Sequence, residues 1–242
     1  QLERGGDAVD AAIATSFALG VVEPWMSGLA AGGCMVLWRA DEKKSYGIDF
    51  GMRSPRSLNP KDYPLSGNGK SSDLFPWEHV IEDRNVQGAT AVAVPGVVSG
   101  MDLAHQRFGS QPWQSLVEPA AHLAQEGLLV DWYSTLITAS SAAALAKDPD
   151  AAKLFLDDGT WPISGSWSAL TDRRLNQKVL SETLHEIAKN GATSFYRGKV
   201  AKALVNDIRS KGGCLSLEDL EHYQAQWVDP LQIAYRDAVI YG

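Results

Sequence analysis

The chain has 242 residues, 45% of them hydrophobic and 21% charged, and its 22 Lys and Arg against 29 Asp and Glu leave a net charge of −7. That apolar content suffices for one large core or two small ones. The acidic balance, with no block of Lys or Arg, argues against a nucleic-acid partner. No apolar run reaches the roughly 18 residues needed to span a bilayer. The longest, 11–22, is broken by Thr15, Ser16 and Gly20 and follows charged residues without a cleavage-site pattern. It reads as a core helix and not as a signal peptide.

In chain order, Asp7 is a helix N-cap whose carboxylate can accept a free amide of the first turn. Apolar residues fill most of the circumference that follows, so this helix is expected to be buried on more than one side, and Glu23-Pro24 ends it. A small-residue run, Ser27-Gly28-Leu29-Ala30-Ala31-Gly32-Gly33, leads into an apolar strand at 34–38. After the polar turn Asp41-Glu42-Lys43-Lys44, a second strand at 46–50 completes a β-hairpin. Residues 51–87, rich in Pro, Ser, Gly and Asn, read as a long surface loop. A short strand is expected at 86–94, closed by Pro95-Gly96.

Helical patterns then occupy 97–108, 113–126, 132–147, 178–189, 195–210 and 217–223, stopped at Gly109, Gly127, Gly191 and Gly212-Gly213, where left-handed residues are expected. Ser216-Leu217-Glu218-Asp219 reads as a capping box with Asp219 at the acidic third position. A last strand is expected at 231–241. There is no internal repeat and no linker dividing the chain, so residues 1–242 are expected to form a single domain. Its strands are too few for a good two-sided sheet, which implies completion by another chain or a continuation.

Few motifs carry chemistry by themselves. Cys34 and Cys214 make neither a disulfide framework nor a metal motif and read as small packing residues. The five histidines form no H-x-x-x-H pair, HExxH motif or Cys/His cluster, so no metal site is expected. The Gly28/Gly32/Gly33 loop matches neither phosphate-binding pattern and reads as tight packing before a strand. Ser99, in Gly96-Val97-Val98-Ser99-Gly100, is one residue out of register for a nucleophile elbow and reads as a helix-start serine. Arg53 and Arg56 follow the second strand, where a guanidinium could clamp a substrate carboxylate with two parallel hydrogen bonds; a solvated loop arginine is the plainer alternative. The tryptophans at 25, 38, 77, 113, 132, 161, 167 and 227 do not interleave with basic residues and read as core or loop anchors.

Taken together, a series of segments resembles the large subunit of the gamma-glutamyltransferase family. They are Gly5-Gly6-Asp7-Ala8-Val9-Asp10-Ala11-Ala12, Leu19-Gly20-Val21-Val22-Glu23-Pro24, Ser27-Gly28 with Gly32-Gly33, and Asp49-Phe50. Val94-Pro95-Gly96-Val97-Val98-Ser99-Gly100, Pro119-Ala120 with Ala124-Gln125-Glu126-Gly127, Phe195-Tyr196-Arg197-Gly198, Gly212-Gly213, Leu217-Glu218-Asp219-Leu220 and Tyr223 continue the series along nearly the whole chain. The resemblance implies an α+β fold, the αββα sandwich of N-terminal-nucleophile hydrolases, present here in part. It implies a proenzyme that cuts itself into two subunits, needs no metal or organic cofactor, and acts on a small-molecule γ-glutamyl or related amide. The nucleophile is then an N-terminal Thr of a small subunit from the same precursor, so no catalytic nucleophile is expected in this chain, which by itself would be inactive.

One departure bears on specificity. The family's substrate-carboxylate arginine falls in a segment Asp-Phe-Arg-Glu-x-Ala-Pro, and here the segment is Asp49-Phe50-Gly51-Met52-Arg53-Ser54-Pro55, with Gly51 at the arginine position. Arg53, two residues on, shares a face with Gly51 in an extended segment and is a candidate to take over the clamp. The alternatives are a pocket for another acyl group, as in cephalosporin-acylase-like or oxamate-hydrolase-like relatives, or a homologue that keeps the fold as a non-catalytic scaffold.

Overall fold

The computed structural model describes residues 1–70, 76–165 and 173–242. Trp167 and positions 71–75 of the expected long loop lie outside the described residues.

After a 3₁₀ turn at Leu2–Arg4, helix α1 runs Ala8–Val22. Asp7 caps it: its Oδ1 accepts the amides of Val9 at 2.8 Å and Asp10 at 3.1 Å, and Asp10 in return accepts the Asp7 amide at 3.0 Å. This is a reciprocal capping box with Asp in the third position. Strands β1 (Gly33–Arg39) and β2 (Lys44–Phe50) form the expected hairpin, with Gly33 opposite Phe50 and Arg39 opposite Lys44. Segment 51–87 is more ordered than a plain loop. It holds 3₁₀ turns at Pro60–Asp62 and Ile81–Asp83 and an antiparallel pair, β3 (Leu65–Lys70) with β4 (Glu78–Val80).

Residues 86–94 are not a strand. Gly88 at φ 73 starts a 3₁₀ turn, Ala89–Ala91, and only Val94 pairs, in an isolated bridge with Arg53. The β-branched composition suggested a strand, but among the described residues no neighbouring strand pairs with it.

The middle of the chain is helical. In order come α2 (Val97–Phe108), α3 (Trp113–Glu126), β5 (Leu128–Leu129), α4 (Trp132–Leu145), α5 (Pro149–Phe155), β6 (Leu156–Asp157), β7 (Trp161–Pro162), β8 (Arg174–Leu175) and α6 (Lys178–Asn190). The expected helix at 195–210 is two helices, α7 (Thr193–Tyr196) and α8 (Lys199–Ser210), separated at Gly198 with φ 100. Helix α9 (Leu217–His222) carries the Ser216/Asp219 capping box. Of the expected glycine stops, Gly127, Gly191 and Gly212 have positive φ. Gly109 does not, at φ −63; a Cβ there would lie 2.3 Å from the His105 ring, so packing is the reason for glycine.

The C-terminal region differs from a single strand at 231–241. It contains β9 (Gln226–Val228), which pairs with β2, and a separate hairpin of β10 (Gln232–Tyr235) and β11 (Ala238–Tyr241). The main sheet is therefore β1-β2-β9, all antiparallel. Its inner face, with Ile48 and Phe50, packs on a helical core that includes Ile13, Phe17, Val98, Leu116, Leu184, Ile187 and Leu220. Its outer face carries Cys34, Val36 and Trp38, all exposed. The architecture is thus α+β, with helices on one side of the sheet. No described helix is long and apolar enough to cross a membrane.

Candidate functional site

Beyond Phe50 the chain continues past Gly51 and Met52 to Arg53, whose backbone exchanges two hydrogen bonds with Val94. The Arg53 amide donates to the Val94 carbonyl at 3.3 Å, and the Val94 amide donates to the Arg53 carbonyl at 2.7 Å. The Gly51 amide donates to Asp49 Oδ1 at 2.8 Å, and its carbonyl accepts the Tyr223 hydroxyl at 2.8 Å. The segment is therefore fixed at both ends before any side chain is considered.

Arg53 is exposed, and its guanidinium sits over the Tyr223 ring at 5.9 Å, a cation–π distance. Burial pushes the Tyr223 phenol up, and the Arg53 charge partly opposes that shift. Among the described residues no carboxylate lies in ion-pair range of Arg53. It rims a cleft of about 450 Å³ walled by Pro55, Leu58, Tyr63 and Val92. Arg56 is different: its Nη1 lies 2.7 Å from Glu218 Oε1, and its amide donates to Asp219 Oδ1 at 3.0 Å. Burial pushes the Asp219 carboxyl up, but the donors of Arg56 and Ser216 outweigh it and hold the group below the usual carboxylate range. Of the two arginines singled out in the sequence, Arg56 is tied to the start of α9, whereas Arg53 is exposed against Tyr223 with no ion pair among the described residues.

Behind Arg53 stands an aromatic wall. Tyr223 stacks on Tyr196 with ring centroids 5.9 Å apart and planes 7° from parallel. The Tyr196 hydroxyl accepts the Ser99 amide at 3.1 Å and donates to the Pro95 carbonyl at 3.1 Å, and burial pushes its pKa up. Ser99 Oγ accepts the Ala225 amide at 3.0 Å, which positions the approach to β9. Among the described residues no imidazole is bonded to it. A second cleft, of about 380 Å³, is bordered by Tyr196 and Tyr223 and lined by Asp102, whose carboxyl is pushed up by burial against a bond from Gln106.

The glycines of this region are there for packing. A Cβ on Gly96 would lie 2.0 Å from the Phe50 carbonyl oxygen and 2.3 Å from the Tyr223 hydroxyl, and one on Gly100 would lie 2.4 Å from the Phe50 ring. Only a bare backbone lets the end of β2 rest on the start of α2. Gly32 is equally confined, its Cβ position being 2.6 Å from the Met52 nitrogen. The leading amides of α2, Gly96 and Val97, donate to the Ala31 carbonyl at 2.9 and 3.0 Å. The small-residue loop thus caps α2 with a protein carbonyl, as the packing reading requires.

Other expectations divide. Both cysteines are free, but Cys34 is exposed and Cys214 half-buried, so Cys34 is not a core packing residue. It stands on the outer face of β1, where alternation directs it away from the helices. Trp113 and Trp227 are anchors: Trp113 meets Phe17 edge-on at 5.6 Å, and Trp227 meets Phe108 edge-on at 5.6 Å. Trp132 and Trp161 are each 72% exposed. Sequence reading also missed a convergence of Glu118, His122 and His185, brought together by α3 and α6. The spacing Glu118-x-x-x-His122 was visible in the sequence; the third member lies far along the chain.

A half-covered antiparallel sheet, a helical core built on glycine-dependent contacts, and an exposed arginine beside a cleft characterise this α+β fold. The chain belongs to the gamma-glutamyltranspeptidase family, whose sequence profile matches residues 1–242. It is similar to scoloptoxin SSD14 of Scolopendra dehaani, 37% identical over 92% of this chain and 35% of that protein. It is also similar to a glutathione hydrolase proenzyme of Pseudomonas sp. (strain A14), 32% identical over 97% of this chain and 38% of that one. The acylase ACY 1 proenzyme of Pseudomonas sp. (strain V22) is 34% identical over 100% of this chain and 41% of its own length. Among solved structures, the gamma-glutamyltranspeptidase of Pseudomonas nitroreducens complexed with L-DON superposes with a TM-score of 0.82 at 32% identity, covering 99% of this chain and 65% of that one. The chain thus spans 35 to 41% of the length of these curated relatives.

Proposed function

We propose that this chain is the large-subunit part of an autoprocessed gamma-glutamyltransferase-like amidohydrolase or acyltransferase, and that it forms one wall of the substrate pocket. In this reading a small subunit cut from the same precursor supplies an N-terminal Thr. Its hydroxyl attacks the amide carbonyl while its own α-amine takes the proton, the amine of the substrate leaves, and water or an acceptor amine resolves the acyl-enzyme. The observation that carries the reading on this chain is Arg53, a cleft-side guanidinium with no ion pair among the described residues and with its backbone fixed by Val94. Such a group can meet a substrate carboxylate through two parallel bonds. Family membership and the proenzyme names of two relatives support the processing step.

A second reading is favoured by Gly51. With glycine at the family's arginine position, the pocket suits an acyl group without the glutamyl carboxylate, and one relative is an acylase. Both readings share the processed-amidase chemistry. The test is intact-mass analysis of the full-length gene product over several hours after purification, with sequencing of any new N-terminus. A split exposing Thr is the expected result; a chain that stays whole in every condition in which it is folded counts against an autoprocessed enzyme and favours the scaffold reading.

A further inference from the structure

Helices α3 and α6 pack face to face in the core, and on the solvent side of that contact three potential metal ligands converge. Glu118 and His122 lie one turn apart on α3, so both project on one face. His185 approaches from α6. One ligand atom from each of the three lies within 4.8 Å of the others, and the two imidazole rings are 5.7 Å apart at 81°. Glu118 is half-buried and both histidines are exposed.

The surroundings give this group a built geometry. Buried Ser181 on α6 donates its hydroxyl to the Ala121 carbonyl of α3 at 2.8 Å, fixing one helix against the other at the position next to His122. One turn on, His185 Nδ1 lies 2.9 Å from the Ser181 carbonyl. A carbonyl can only accept, so in the neutral ring this contact calls for the proton on Nδ1, which leaves the Nε2 lone pair for a metal. A ligating histidine whose other ring nitrogen donates to a backbone carbonyl is the usual outer-shell arrangement at zinc sites.

We propose that Glu118, His122 and His185 form a binding site for a borderline divalent cation of the zinc type, clasping α3 to α6 at the surface. Two imidazoles and one carboxylate suit such an ion and leave its fourth position to water. Tetrahedral zinc at about 2.0–2.1 Å from its ligands needs donors roughly 3.3 Å apart. In this proposal binding draws the exposed His122 imidazole and the Glu118 carboxylate toward His185, whose ring is already held by the Ser181 carbonyl. The site is remote in sequence from Arg53 and does not depend on the proposed amidase chemistry.

The test is calorimetric titration of chelator-treated full-length protein with zinc chloride, accompanied by the visible spectrum after cobalt(II) addition. The expected result is one saturable site, a tetrahedral cobalt band, and a rise in melting temperature on adding zinc. His122→Asn and His185→Asn each weaken binding by roughly tenfold or more, whereas His79→Asn, outside the cluster, leaves it unchanged. Circular dichroism confirms that the surface variants are folded, and Glu118→Gln provides a third, milder variant. Absence of saturable binding, or binding undiminished in the His122→Asn/His185→Asn double variant, overturns the proposal.

Discussion

Arg53 and Arg56 are three residues apart in one loop, and their surroundings give them opposite roles. Arg56 already has a carboxylate partner in Glu218, whereas Arg53 faces the cleft over Tyr223. On the proposed reading, Arg53→Ala in the mature enzyme is therefore expected to lower kcat/KM roughly tenfold or more for a γ-glutamyl anilide, since a charged bidentate contact is lost. A matched acyl anilide lacking the α-carboxylate would be turned over unchanged. Equal kcat/KM for wild type and variant on the γ-glutamyl substrate would remove Arg53 from the pocket and leave the acylase reading. The sequence offered both arginines as candidates for a carboxylate clamp. Their separation was not legible there, because Glu218 and Asp219, which engage Arg56, lie on α9 at the other end of the chain. Gly51 also has a local logic: a Cβ there would lie 3.1 Å from Asp49 Oδ1, so a side chain requires that carboxylate to give way slightly.

At the scale of elements, helices with both ends marked in the sequence were readable to within a residue or two, as α2 and α3 show. What local pattern could not convey was long-range satisfaction of backbone and buried charge. Pro119 inside α3 has no amide to give the Ser115 carbonyl, and the Gln1 side chain supplies the missing donor at 2.9 Å. Asp10 is a larger case. It is fully buried, accepts the amides of Asp7, Ser110 and Gln111 and the Ser110 hydroxyl, and so ties α1 to the α2–α3 connection. Burial pushes its carboxyl up, but these donors outweigh it and hold the group below the usual range. In Asp10→Asn one acceptor oxygen becomes an NH₂ facing donors. The expected cost is about 2–4 kcal/mol, at roughly 1–3 kcal/mol per buried group left unpaired, or a melting temperature lower by roughly 5–15 °C. Because the folded pKa is the depressed one, the wild-type advantage is full above about pH 4 and shrinks as pH falls through the folded value. Thermal melts of both proteins from pH 7 to pH 3 measure it; a pH-independent gap would show that the Asp10 charge contributes nothing.

For the molecule as a whole, the α+β class was readable, because strand patterns clustered near the ends and helical patterns filled the middle. The short pairs β3–β4, β5–β8 and β6–β7 were not, because each includes a strand of only two or three residues, which carries no periodicity. The pattern of β1 carried a further message. Cys34, Met35, Val36, Leu37 and Trp38 are apolar on both faces, as in strands covered on both sides. In the structure the helices cover only the Met35 and Leu37 side, while Val36 and Trp38 remain 42% and 54% exposed. The β10–β11 hairpin continues this surface: Tyr241 meets Trp38 at 6.1 Å, and Ile233 and Val239 are 65% and 52% exposed. Contiguous apolar surface beside open strand edges promotes association. Residues 1–242 produced alone are thus expected to self-associate, with an apparent mass by light scattering that rises with concentration. The triple variant Trp38→Lys/Ile233→Lys/Val239→Lys places charge on that surface without touching the helical core, and is expected to run as a monomer with an unchanged helical signal. If wild-type 1–242 is itself monomeric at high concentration and melts cooperatively, the outer face needs no cover, and the two-subunit reading loses its structural motive on this chain.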